Sequence, residues 1–115
     1  MNRVVQYSPG LDRAFAALSD PTRRGILVRL GRGDASISEL AATFGITLTG
    51  IKKHVRLLEA AGLVTTHKVG RVRRCRLGPQ RLDAETAWIA AYHAQLEARL
   101  DRLGEFLDRE KGDPA

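Results

Sequence analysis

Lys52, Lys53, His54 and Arg56 stand within five residues of one another, and Lys68, Arg71, Arg73, Arg74 and Arg76 follow closely. Residues 48–77 carry eight Lys or Arg against one acid, Glu59, so this segment has a net charge of +7 while the whole chain has +6. Everything outside it therefore sums to about −1. Cations serving solubility alone would not gather this way; a field focused on one face attracts a polyanion.

Two elements must position those cations. Residues 37–58 (ISELAATFGITLTGIKKHVRLL) read as two helices joined by a tight turn. The first has apolar Ile37, Leu40, Ala41 and Phe44 at the i, i+3, i+4, i+7 spacing of one buried stripe, with Ser36 or Ser38 as its cap. Gly45 follows where a left-handed residue ends a helix. Ile46 then plugs the angle between the helices. Thr47 caps the second, whose apolar positions are Leu48, Ile51, Val55 and Leu58. Small Ala41 suits a close crossing. Such a pair is the helix-turn-helix unit, whose second helix enters the major groove, and its outward face is left with Thr49, Gly50, Lys52, Lys53 and Arg56. The blander alternative is a core helical hairpin with solvated Lys and Arg.

The second element lowers the weight of that alternative. In residues 63–77 (LVTTHKVGRVRRCRL) β-branched residues flank Val69-Gly70-Arg71, and Gly70 supplies the turn of a two-stranded hairpin. A basic ribbon thus hangs directly after the recognition helix, the winged form of the motif.

The rest reads as helix. Residues 11–19 place Leu11, Ala14, Phe15 and Leu18 on one face, and Asp20-Pro21 starts a helix running to about Leu30 that buries Ile26, Leu27 and Leu30. After Gly78-Pro79, a last helix over residues 81–109 repeats Ile89, His93, Leu96, Leu100, Leu103 and Leu107 by four and three, and Trp88, Tyr92 and Phe106 widen that surface. At 1.5 Å per residue this helix is about 44 Å long, more than so small a domain can cover, and dimerisation is the economical way to bury it. The expected fold is a single domain over residues 1–115, mainly α with a two-stranded β wing, dimeric.

With 115 residues the chain suits one modest core. No apolar run approaches the roughly 18 residues that span a bilayer, so no membrane partner is expected. The start has no stretch like that of a signal peptide, which points to the cytoplasm, and the lone Cys75 agrees with a reducing compartment. Residues 1–9 and 111–115 look loose.

The stretches FAALSDPTRRGILVRL, ISELAATFGITLTGIKKHVRLLEAAGLV and GRVRRCRLGP resemble the ArsR family of bacterial winged-helix repressors, over residues 15–79. The trailing helix with Trp88 and Arg-Leu-Asp-Arg-Leu is similar to its SdpR-like, non-thiolate subgroup. This resemblance implies a homodimer through the first and last helices (Leu11, Phe15, Trp88, Ile89, Tyr92, Leu96, Leu100, Leu103). It also implies paired recognition helices on a palindromic operator in double-stranded DNA, usually the protein's own promoter. The sequence departs from the family pattern in two places. Lys52 stands where Ser is common, and Cys75 where Tyr is common.

Many ArsR members sense metals. Thiolate sensors carry a Cys-x-Cys pair, whereas Cys75 is alone. On the last helix Asp83, Glu85, His93 and Glu97 are the candidate ligands, but their spacing differs from that of metal-sensing members and only one His is present; the alternative is a half-buried seam residue His93 hydrogen-bonded to Glu97 or across the dimer. No metal or cofactor is expected. His54 either contacts a phosphate or packs under the wing. Arg23 and Arg24 touch phosphates or form a solvated face. Cys75 is a small apolar strand residue, or a redox group favoured by Arg74. No phosphate-binding loop, dinucleotide fingerprint or catalytic triad is present, so an enzyme is not expected.

The sequence therefore reads as a dimeric repressor in which Thr47, Thr49, Gly50, Lys52, Lys53 and His54 lie at the DNA. Thr49, Lys52 and Lys53 would face base edges, and Arg56, Arg71 and Arg73 would hold phosphates or the minor groove. The alternative is a helical protein- or RNA-interaction module, such as an antitoxin-like adaptor.

Overall fold

The computed structural model describes residues 9–112, in the order α1 (Pro9–Leu18), α2 (Pro21–Leu30), β1 (Ala35–Ser36), α3 (Ile37–Phe44), α4 (Leu48–Ala60), β2 (Val64–Val69), β3 (Val72–Leu77) and α5 (Asp83–Gly112). Of the ends expected to be loose, residues 1–8 and 113–115 lie outside the described residues; Pro9 opens α1 and Gly112 closes α5. The chain divides into two compact units, one ending at Leu82 and one beginning at Asp83.

In the first unit each short helix is begun by a side chain. Asp20 caps α2 by accepting the Arg23 N–H at 3.1 Å, with Pro21 losing nothing at the first position. At α3 the choice between Ser36 and Ser38 is settled by Glu39. Ser36 Oγ accepts the Glu39 N–H at 3.0 Å while Glu39 Oε1 accepts the Ser36 N–H at 2.7 Å, a reciprocal capping box. Gly45 takes the left-handed conformation at φ 64°, and the Ile46 N–H reaches Ala41 O at 3.0 Å, closing α3 and turning the chain. Thr47 Oγ1 then accepts the Gly50 N–H at 3.0 Å and opens α4.

Ile26, Leu30, Ile37, Leu40, Ala41, Ile51, Val55, Leu58, Val64 and Cys75 form the buried core, with Leu18, Leu27, Phe44 and Ile46 half-buried against it. Leu48 departs from the expected stripe: it lies at the first turn of α4 and is 49% exposed, so the buried face of that helix begins at Ile51.

The wing is part of a larger sheet than expected. β2 and β3 pair antiparallel with Val69 opposite Val72 across the two-residue turn Gly70-Arg71, Gly70 having φ 64°. On the other edge of β3, β1 pairs with it through Ala35–Cys75 and Ser36–Arg74, giving the order β1-β3-β2. A two-residue strand has no periodicity to read, which is why β1 was not foreseen. It anchors the wing to the residue that caps α3.

The second unit is α5, 30 residues long and hence about 45 Å. It begins two residues later than expected, because Leu82 has the left-handed φ of 60°. Ile89, Tyr92, Leu96, Leu100, Leu103, Phe106 and Leu107 are each 44–57% exposed, and Trp88 stacks on Tyr92 with ring centroids 5.8 Å apart. No helix among the described residues is long and apolar enough to cross a membrane.

Gly78 closes the sheet by donating its N–H to Leu63 O at 2.8 Å, and a Cβ there would run into the Gly62 carbonyl oxygen. Backbone cannot step aside as a side chain can. Gly78→Ala should therefore destabilise the protein by about 1–3 kcal/mol, as overpacking does, and lower the melting temperature by at least about 4 °C. Gly10→Ala, where nothing lies within 4 Å of the added carbon, should leave the melting temperature unchanged or raise it. Equal melting curves for the two variants would refute the close approach at Gly78.

Candidate nucleic-acid interface

With Ile51, Val55 and Leu58 turned into the core, the spacing of α4 turns Thr49, Lys52, Lys53 and Arg56 outward, and all four are exposed. Among the described residues none of Lys52, Lys53, Arg56, Lys68 and Arg71 pairs with an acid. Leu48, at the first turn, is exposed too, although the helical count alone assigned it to the core. Gly50 is half-buried rather than outward. A Cβ on it would stand 2.9 Å from Ile46 Cγ2 and 3.2 Å from Thr47 Oγ1, so its missing side chain makes room for the turn and the cap.

His54 is half-buried and lies against the α1–α2 corner, not under the wing. Its Nδ1 is 3.2 Å from Arg23 Nη1 and 3.9 Å from Asp20 Oδ2. Arg23 also donates from Nε to Ala17 O at 2.7 Å and from Nη2 to Ala16 O at 3.0 Å, while Arg24 Nη1 donates to Leu18 O at 2.6 Å. Half-buried Arg23 and exposed Arg24 both answer the free carbonyls at the end of α1, an arginine cap. The Asp20 carboxyl is held below its usual value, first by the Arg23 backbone N–H and, against some desolvation, by the His54 and Arg23 charges.

The wing cations divide into committed and uncommitted groups. Arg73 Nη1 donates to Thr66 Oγ1 at 2.9 Å, and Thr66 Oγ1 donates to Glu59 Oε2 at 2.8 Å. The one acid of the basic segment thus ties the end of α4 to both wing strands. Arg74 turns to the other side, where Nη2 donates to Asp34 O at 3.3 Å and Nη1 lies 3.8 Å from Glu39 Oε1. Glu39 is held below the usual carboxylate value chiefly by the backbone N–H of Ser36. Arg76 rests on the His67 ring at 3.4 Å. Lys52, Arg56, Glu59, Thr66 and Arg73 line an open cleft of about 370 Å³ between α4 and the wing.

Among the described residues no group of three or more His, Cys, Asp and Glu could hold a metal. His93 Nε2 lies 2.5 Å from Glu97 Oε1, one turn away on α5, with both side chains exposed and not half-buried. Asp83 is exposed and Glu85 buried in the first turn of that helix. Cys75 sits inside the sheet between Ala35 and Thr66, fully buried, and desolvation pushes its thiol up to about 11. Arg73 and Arg74 pull the other way but do not offset that burial.

Residues 18–67 match a family described as a helix-turn-helix domain. The chain is 35% identical over 92 residues to the HTH-type transcriptional regulator Rv2034 of Mycobacterium tuberculosis, spanning 74% of this chain and 86% of that protein. It is 37% identical over 60 residues to the transcriptional repressor SdpR of Bacillus subtilis, spanning 52% of this chain and 67% of SdpR. A crystal structure described as an ArsR family transcriptional regulator superposes with a TM-score of 0.72 at 44% identity, over 82% of this chain and 97% of that one.

A thiol with a pKa of about 11 is ionised in only about one molecule in a thousand at pH 8. Native protein should therefore react with iodoacetamide at Cys75 more than about a hundredfold more slowly than chain unfolded in guanidinium. Rapid stoichiometric labelling of the native state, read by mass spectrometry, would show the thiol to be open and reactive.

Proposed function

The chain belongs to the ArsR family of winged helix-turn-helix, DNA-binding transcriptional repressors, and from that premise we propose that it works as a homodimer on a palindromic operator in its own promoter. The observation that carries this reading is the row of uncommitted cations, Lys52, Lys53, Arg56, Lys68 and Arg71, along a recognition helix and wing whose backbone is fixed at both ends by caps. Thr49, Lys52 and Lys53 read base edges, and exposed Leu48 offers a methyl contact for thymine. Arg56 and Arg71 hold phosphates, Thr47 fixes the helix start, and Arg73 sets the wing through Thr66.

A second copy is the proposed cover for α5. Ile89, Leu96, Leu100 and Leu103 recur along its length, with Trp88 and Tyr92 beside them. The two recognition helices then meet successive turns of one duplex, which is what a palindrome presents.

Protection mapping on the DNA upstream of the protein's own reading frame tests the operator. With about six phosphates neutralised by the dimer, log K should fall against log salt with a slope near −5, at roughly −0.9 per phosphate. Arg71→Ala should weaken binding to every duplex alike, while Lys52→Ala should relax sequence preference; equal effects of both on operator and random DNA would undo the division of roles.

Burying one Leu contributes about 1.5–3 kcal/mol. Leu96→Asp with Leu103→Asp should therefore give monomer in sedimentation and lose operator binding in the same protein. A variant that remains dimeric would place the interface elsewhere.

A further inference from the structure

We infer that His54 is a positioning residue for DNA recognition, locking the recognition helix α4 to the α1–α2 corner by accepting a hydrogen bond from Arg23, rather than a contact to DNA. This rests on the DNA-binding reading above. A guanidinium has no lone pair and always donates, so His54 Nδ1, 3.2 Å from Arg23 Nη1, is the acceptor and the ring proton sits on Nε2. Arg23 is not a swinging side chain. Its Nε and Nη2 are held by Ala17 O and Ala16 O, and its own backbone N–H is held by the Asp20 carboxylate. The donor that reaches α4 is thus fixed by two helices.

The need for such a lock follows from how α4 is otherwise seated. Ile51, Val55 and Leu58 bury it through apolar contact, which resists lifting the helix but has no direction of its own. Lys52, Lys53 and Arg56 lie around His54 on the same helix, so a small rotation about its axis displaces the tips of all three. One directional hydrogen bond in the middle of α4 opposes that rotation. The charged groups facing the ring are Arg23 and Asp20 from the start of α2, with Arg13 of α1 lining the same crevice as Arg23, and Lys53 beside it on α4.

Loss of this bond removes no cation from the DNA face, so it should lower discrimination between sequences without lowering affinity for DNA in general.

The experiment uses full-length protein and the tightest duplex selected at pH 7.5 from a random-sequence pool, with a scrambled duplex as reference. His54→Leu should lose roughly tenfold in discrimination while scrambled-duplex affinity holds, the order expected for one hydrogen bond to a charged group. His54→Asn, whose Oδ1 accepts in place of Nδ1, should recover most of that loss. If His54→Leu fails to fold, the asparagine variant still decides, together with the ¹⁵N shifts of the imidazole at neutral pH, which should report the Nε2–H tautomer. An Nδ1–H tautomer, full discrimination in His54→Leu, or an asparagine variant as poor as the leucine one overturns the inference while DNA binding stands. Wild-type protein with no preference for any duplex would overturn the DNA-binding reading, and this inference with it.

Discussion

The left-handed turn at Gly45 sets the angle between α3 and α4, and every cation on α4 takes its direction from it. At φ 64° a side-chain-bearing residue is strained, so the position needs glycine. Eight residues of α3 and thirteen of α4 are too few to hold themselves as isolated helices. The capping box of Ser36 and Glu39, the Gly45 turn and the Thr47 cap therefore act together: they satisfy the free backbone groups at three helix ends within twelve residues and leave Ile37, Leu40, Ala41, Ile51 and Val55 to bury one shared core. Gly50 makes room for Ile46 in the angle.

Around that unit the charged side chains are sorted by what they already hold. Arg23, Arg24, Arg73 and Arg74 are engaged with backbone carbonyls, Thr66 or Glu39, and they brace one element against another. Lys52, Lys53, Arg56, Lys68 and Arg71 remain available. Within the net charge of +7 over residues 48–77, Arg73 and Arg74 thus also have partners inside the protein. Part of it is structural, and the single acid, Glu59, anchors the wing through Thr66 instead of diluting the field. Cys75 belongs with the braces. It fills the sheet between β1 and β2, and its burial suppresses the ionisation that metal binding or oxidation would need.

α5 poses the opposite problem. Its apolar residues follow a seam too regular for a solvated helix, yet they stay about half exposed in one chain. Hydrophobic surface of that extent on a helix of about 45 Å favours association, and the repressor reading uses it to bring two basic faces to one duplex.

The sequence by itself determined the helix-turn-helix, the wing and the seam, because each rests on local chemistry: a 3.6-residue period, a cap, a glycine where φ is positive, β-branched runs about a tight turn. Ile37, Leu40, Ala41, Gly45, Thr47 and Gly70 could be placed on those grounds. The tertiary structure alone decided what depends on partners distant along the chain. β1 exists only because β3 is there to pair with it. Leu48 keeps the helical phase of a core residue but lies at the first turn, where packing no longer covers it. The choice of Ser36 over Ser38 is local by contrast, since Glu39 only three residues on returns its hydrogen bond. His54 and Arg23, thirty-one positions apart, meet where α4 crosses the α1–α2 corner, and Arg73 reaches Thr66 across a strand. Periodicity reports which face a residue occupies; which of several donors it finds there is set by the packing of whole elements.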